Sequence, residues 1–193
     1  METPSSQPPN GNDQPLPTPH APVSTAQPFT SQYRLPNGIS NFKELINRGY
    51  HYIERTQYIE LLEATGLNYV YFLRPRRFGK SLFISTLQHY YGCEHADDFN
   101  ELFGPLYIGR HVTPYANQFL VLRFDFSRID TESKESTYQS FLSNVVQGIQ
   151  QFLHTYQHIL EPKALDFTAN SPRDAMQQLL TRAFGSKIKG FWL

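Results

Sequence analysis

The chain has 193 residues, with 17 lysines and arginines against 17 aspartates and glutamates, so its formal net charge is zero and any basic surface must be local. One cysteine, Cys93, excludes an internal disulfide. No apolar run approaches the roughly 20 residues that cross a bilayer, and the N-terminus lacks the basic, apolar and small-residue order of a secretory signal, which predicts an intracellular protein with no membrane partner.

Residues 1–34 read as a disordered tail rich in Pro, Ser and Gln. Nine of the fourteen prolines fall at or before Pro36, and such a stretch has too little apolar surface to offset chain entropy. One folded domain over residues 35–193 is expected to follow. It opens on the turn signal Leu35-Pro36-Asn37-Gly38-Ile39. Asn41 is placed to cap a short helix from Phe42 to Arg48, which Gly49 ends. An extended piece, Tyr50 to Ile53, leads to a second helix that starts at Thr56 and stops at Gly66. Between them, Arg55 reads as a surface or packing residue.

The stretch from Leu67 to Tyr91 carries the chemistry. An aromatic and β-branched run, Tyr69 to Leu73, predicts a strand that breaks at Arg74-Pro75. From Lys80 the apolar residues recur as Leu82, Phe83, Leu87 and Tyr90, which is helical spacing, and Gly92 ends the segment. Strand, basic loop and helix therefore meet at Gly79-Lys80-Ser81. The first-turn N–H groups of a helix lack intrahelical partners and sit at the positive end of its dipole, so they hold phosphate oxygens. Arg77, Phe78, Gly79, Lys80, Ser81 and Leu82 are the candidate nucleotide-binding residues: the amides as cradle, Lys80 on the terminal phosphates of ATP, and the Ser81 hydroxyl on Mg²⁺. The full phosphate-loop pattern has glycine five residues before Gly79, where this chain has Arg74. The alternative is a basic loop on an ordinary strand-helix connection, with Lys80 in solvent.

The run Arg74-Pro75-Arg76-Arg77-Phe78-Gly79-Lys80-Ser81-Leu82 resembles the signature of the AAA-ATPase-like domain family, and the likeness extends from Leu35 to about Lys187. The resemblance implies that arginine at position 74 is the normal form of this loop. It also implies that Ile53-Glu54-Arg55-Thr56 stands where the family reads Tyr-Val-Asp-Lys-Thr, with the charge pattern kept, so a role near the nucleotide is the alternative for Arg55 to a surface or packing residue. Longer members carry a nuclease-like domain of the PD-(D/E)XK type, so the resemblance brings in nucleic acid only through a region this chain lacks.

Further on, Asp97 to Phe103 reads as a short helix closed by Gly104-Pro105, and Gln118 to Ser127 as a second strand ending near Asp125. Asp125 is either a magnesium carboxylate or a strand-end turn residue. The resemblance points to the second, because the family's acidic Asp-Glu-Tyr-Asp site lies on a later strand. Thr131 to Leu160 shows three-four apolar spacing throughout and predicts a long amphipathic helix ended by Glu161-Pro162. His154 and His158 lie four apart on it, a spacing that could ligate metal. With no third ligand near them in the sequence, they read as solvated surface histidines. Cys93 reads as an unreactive thiol. Ser171-Pro172 caps a last helix, Arg173 to Phe184, with proline at the first helical position. The family then runs into its acidic strand, whereas here no Asp or Glu follows Asp174.

The expected fold class is α/β: a P-loop NTPase-like three-layer parallel sheet, incomplete because the domain stops before its acidic strand. Three functions remain open. The first is ATP binding with weak or no hydrolysis, the catalytic carboxylates being unidentified. The second is a non-catalytic interaction module whose basic loop meets an acidic partner or nucleic acid. The third is a truncated product with no activity of its own.

Overall fold

The computed structural model describes residues 34–67, 69–160, 169–184 and 191–192; the expected tail lies, but for its last residue, outside them. The described part is mostly helical. Asn41 caps α1 (Phe42–Asn47), its side-chain oxygen accepting from the Glu44 N–H at 2.9 Å, as the sequence implies. α2 (Gln57–Ala64) follows, then α3 (Lys80–Tyr91), a 3₁₀ turn (Cys93–His95) and α4 (Phe99–Phe103). Beyond the expected stop at Gly104-Pro105 the chain forms one more helical turn, α5 (Tyr107–Arg110). The long helix α6 (Lys134–Thr155) opens on a reciprocal cap between Ser133 and Ser136, and α7 (Pro172–Phe184) begins on its proline.

Strand structure is far smaller than the predicted three-layer sheet. β1 (Leu120–Val121) runs parallel to β2 (Phe191–Trp192), Leu120 opposite Phe191 and Val121 opposite Trp192. Two parallel neighbours need a crossover, and α6 and α7 lie between them in the chain. The expected strand over residues 69–73 is not one. It is irregular chain without a ladder, and Tyr69, Tyr71 and Leu73 are 86%, 89% and 86% exposed. The alternation is still visible, since Phe72 turns inward onto Phe83 with ring centroids 5.0 Å apart. β-propensity is a fit to a pleated, half-buried surface, and among the described residues no strand pairs with this run. The second predicted strand, Gln118 to Ser127, shrinks to β1 for the same reason.

Two apolar clusters result. Under the N-terminal helices, Phe42, Ile59, Tyr90, Tyr91, Leu102, Phe103 and Ile108 pack together. Around β1, Leu120 and Leu122 meet Val145, Ile149, Phe152 and Leu153 along α6, Tyr156 at its C-cap, and Ala175 and Leu179 on α7. α6 approaches the chain after β1 very closely: a Cβ on Gly148 would lie 2.6 Å from the Phe124 ring. Tyr156, fully buried, ties three pieces together. Its hydroxyl donates to Glu94 Oε2 at 2.7 Å and accepts the Val121 N–H at 2.8 Å.

α3 is anchored along its length. The buried Ser85 hydroxyl accepts the Phe42 N–H at 3.0 Å, so α3 supplies a partner to an orphan donor of α1. At the other end, Phe119 N–H donates to Tyr91 C=O (3.0 Å) and Cys93 N–H to Phe119 C=O (2.9 Å), which fixes α3 against the start of β1.

His89 on α3 is buried, its Nδ1–H donating to the Ser85 carbonyl at 2.7 Å, and it stacks on His95 with ring centroids 4.1 Å apart. Burial pushes both imidazoles down from 6.5, that of His95 to about 4. Lys43 adds to the effect on both and Asp98 opposes it. Glu94 lies 3.4 Å from His95 Nε2, but burial favours its own neutral form, so it does little to hold an imidazolium. Below pH 6.5 the unfolded chain takes up protons that the folded pair refuses, so stability must fall as pH drops from 6.5 toward 4. Glu94, raised in the fold, offsets part of this. His95 alone is expected to contribute a loss of about 2 kcal/mol between pH 7 and pH 4.5, discounted for its solvent-facing edge. Urea midpoints at pH 7 and pH 4.5 for wild type and His95→Asn check this: the variant should lose less, and an equal drop would clear the pair of any role.

Candidate phosphate-binding site

The loop between Arg74 and α3 has an unusual backbone. Arg77 sits at φ 66° and Gly79 at φ 76°, two left-handed residues with Phe78 between them. For a non-glycine residue that conformation costs about 1–2 kcal/mol, and such outliers gather where a backbone is shaped for a ligand. Alternation of this kind turns successive N–H groups toward one concavity, an arrangement suited to anions. Gly79 offers no side-chain cap to α3, and the first helical bond is Phe83 N–H to Gly79 C=O at 2.9 Å. The amides of Lys80, Ser81 and Leu82 thus precede the helical ladder.

The side chains meet on the same feature. Lys80 Nζ donates to the carbonyls of Arg74 and, at 3.2 Å, Pro75, which folds its ammonium back over the loop. The Ser81 hydroxyl is exposed and makes no hydrogen bond among the described residues. Residues 76–83 form one wall of a cavity of about 1010 Å³, whose other walls are the turn at residues 35–40 and the segment Tyr52, Ile53 and Arg55. The six candidate residues of the loop are therefore together. From the sequence, a role for Arg55 near the nucleotide is the lesser alternative to a surface or packing residue; in the structure its Nη1 donates to the Phe78 carbonyl at 2.8 Å, across 23 residues of chain. The available signal was the charge at that position, which the resembling family also carries.

A family model described as a predicted AAA-ATPase matches residues 36–189, nearly all of the chain beyond its first 35 residues. The chain belongs to the AAA-ATPase-like family. Comparison with curated proteins and with solved structures gave no match.

In this AAA-ATPase-like domain the other candidates fall elsewhere. Asp125 is exposed, its Oδ1 accepts the Ser127 N–H at 2.9 Å, and the Ser127 side chain together with that N–H holds the carboxyl below its ordinary range. That is the turn role. It lines a separate cavity of about 410 Å³ with Arg123, Arg128 and Glu94, away from the loop. Asp130 Oδ1 likewise accepts from the Glu132 N–H at 2.9 Å. Cys93 is half-buried, and burial pushes its thiol up, away from the reactive thiolate. His154 and His158 are both exposed, and among the described residues no three metal-ligating side chains converge. No described helix is long and apolar enough to cross a membrane.

Proposed function

We propose that this domain binds ATP with Mg²⁺ through residues 77–82. The observation that carries the reading is the loop itself: left-handed Gly79 delivers three first-turn amides without helical partners, the Lys80 ammonium and the Ser81 hydroxyl to one cavity. A triphosphate is the ligand whose charge and oxygen count use all three. Phosphate oxygens compete with the Arg74 and Pro75 carbonyls for Lys80, and a charge-assisted bond to phosphate is the stronger one. Mg²⁺ fits the donor set through the Ser81 hydroxyl, the rest of its shell coming from phosphate and water; when bound it neutralises phosphate charge. In this reading residues 69–73 lead into the loop as the segment before a P-loop does, without a strand partner among the described residues.

Calorimetric titration with Mg-ATP tests it. Lys80→Ala should cost on the order of 1.5–3 kcal/mol of affinity, and equal affinities would sink the assignment. If Mg-ATP neither binds nor raises the melting temperature of the wild type, the basic loop is an interaction surface instead.

Binding should outrun hydrolysis. Phosphoryl transfer to water uses a carboxylate to hold the metal and a group to orient the attacking water, and no Asp or Glu is among the described residues lining the cavity. Phosphate release is expected near background. Turnover that disappears in Lys80→Ala would overturn this and place an acidic group at the loop.

A further inference from the structure

We infer that Arg55 is a second cationic ligand of the nucleotide phosphates, working beside Lys80, an inference that rests on the ATP-binding reading above. Its guanidinium reaches the loop from the start of α2. One nitrogen donates to the Phe78 carbonyl at 2.8 Å, and Nη1 lies 3.2 Å from the point where a Cβ on Gly79 would stand. The missing side chain at Gly79 therefore does two things: it permits φ 76° and leaves room for Arg55 to approach the backbone.

Arg55 is also delivered from a fixed corner. On one side, Glu54 Oε1 accepts from the Thr56 N–H at 3.1 Å and from the Thr56 hydroxyl, while Oε2 accepts the Tyr107 N–H at 3.3 Å. On the other, the hydroxyl of fully buried Thr56 accepts the Ile108 N–H at 3.2 Å. Both chain neighbours of Arg55 are thus bonded to the start of α5. The position is set before any ligand arrives, so little ordering cost falls on binding.

The charge balance points to an anion. Arg55 has no carboxylate within ion-pair distance among the described residues, and none lines the cavity it faces. A guanidinium carries five donors in one plane. One is taken by Phe78, and the others meet no acceptor among the described residues. An uncompensated, half-buried cation is unfavourable unless something of opposite charge enters, and a fork of this shape matches phosphate oxygens. The charge of the ligand grows with each phosphate, so a second cation discriminates triphosphate from diphosphate.

Calorimetric titration of the full chain with Mg-ATP and Mg-ADP, in wild type, Arg55→Gln, Arg55→Lys and Lys80→Ala, decides the matter. Glutamine keeps a polar side chain at this position, removes the charge and gives up the reach to the Phe78 carbonyl. Arg55→Gln should weaken Mg-ATP about 10- to 100-fold and Mg-ADP by clearly less, with the ligand-free melting temperature lowered by no more than about 2–4 °C. Arg55→Lys should recover part of the ATP affinity. If both nucleotides weaken equally, or neither does, while Lys80→Ala still loses ATP, Arg55 is a loop tether and this inference alone fails. If wild type binds no Mg-ATP, or Lys80→Ala binds it as well as wild type, the ATP-binding reading and this inference fall together. Should the glutamine variant not fold, Arg55→Lys carries the same comparison, and an unchanged ratio of ATP to ADP affinity overturns the inference.

Discussion

Replacing Phe42 by alanine is expected to cost about 3–5 kcal/mol of stability, the range for a large aromatic removed from a packed core. Phe42 is fully buried at the first position of α1. Its ring stacks on Phe103 at 5.0 Å and meets Tyr52 and His89 edge-on at 5.3 Å and 6.0 Å. Those partners belong to α4, to the chain before α2 and to α3, so one truncation loosens four pieces at once. The backbone bond from Phe42 N–H to Ser85 is available to alanine as well, which assigns the loss to packing rather than to hydrogen bonding. Urea denaturation measures it. A fall below about 1 kcal/mol would mean that α1 does not dock on α3 in solution.

Gly79→Val should damage stability and nucleotide binding together. At φ 76° a β-branched residue is strained by about 1–2 kcal/mol, and its Cβ would stand 3.2 Å from Arg55 Nη1. Arg55 must then shift by a few tenths of an ångström, which weakens its bond to the Phe78 carbonyl, a charged hydrogen bond of about 1 kcal/mol or more when intact. A total of about 2–3 kcal/mol is expected, with ATP affinity lost beyond what the drop in stability explains. From the sequence, the harm belongs in the phosphate space. The geometry places the first collision on Arg55. Thermal melts and ATP titrations of Gly79→Val and the smaller Gly79→Ala check the order, and a valine variant as stable as wild type would show that Gly79 is not left-handed.

Local rules were legible wherever a few neighbouring residues decide the outcome. Asn41 and Gly92 bound their helices because the ends of a helix are settled within one turn. The apolar stripe on α6 emerged from 3.6-residue periodicity alone. Gly79-Lys80-Ser81 marked the start of α3 and the candidate site because a helix N-terminus presents the same unpaired amides in any fold.

Most helices, several of their ends and a candidate phosphate loop could therefore be read from the residues alone. Strands were different. Residues 69–73 have every local mark of a strand, yet a strand exists only where another chain segment supplies the ladder, and that partner is set by topology. Tertiary structure also decided the roles of two charged side chains. Asp125 closes a turn through Ser127. Arg55 reaches the Phe78 carbonyl, 23 residues further along the chain, because bonds from Glu54 and Thr56 to the start of α5 hold its corner there. Contacts between residues distant in the chain depend on how elements pack, and no window of sequence contains that information.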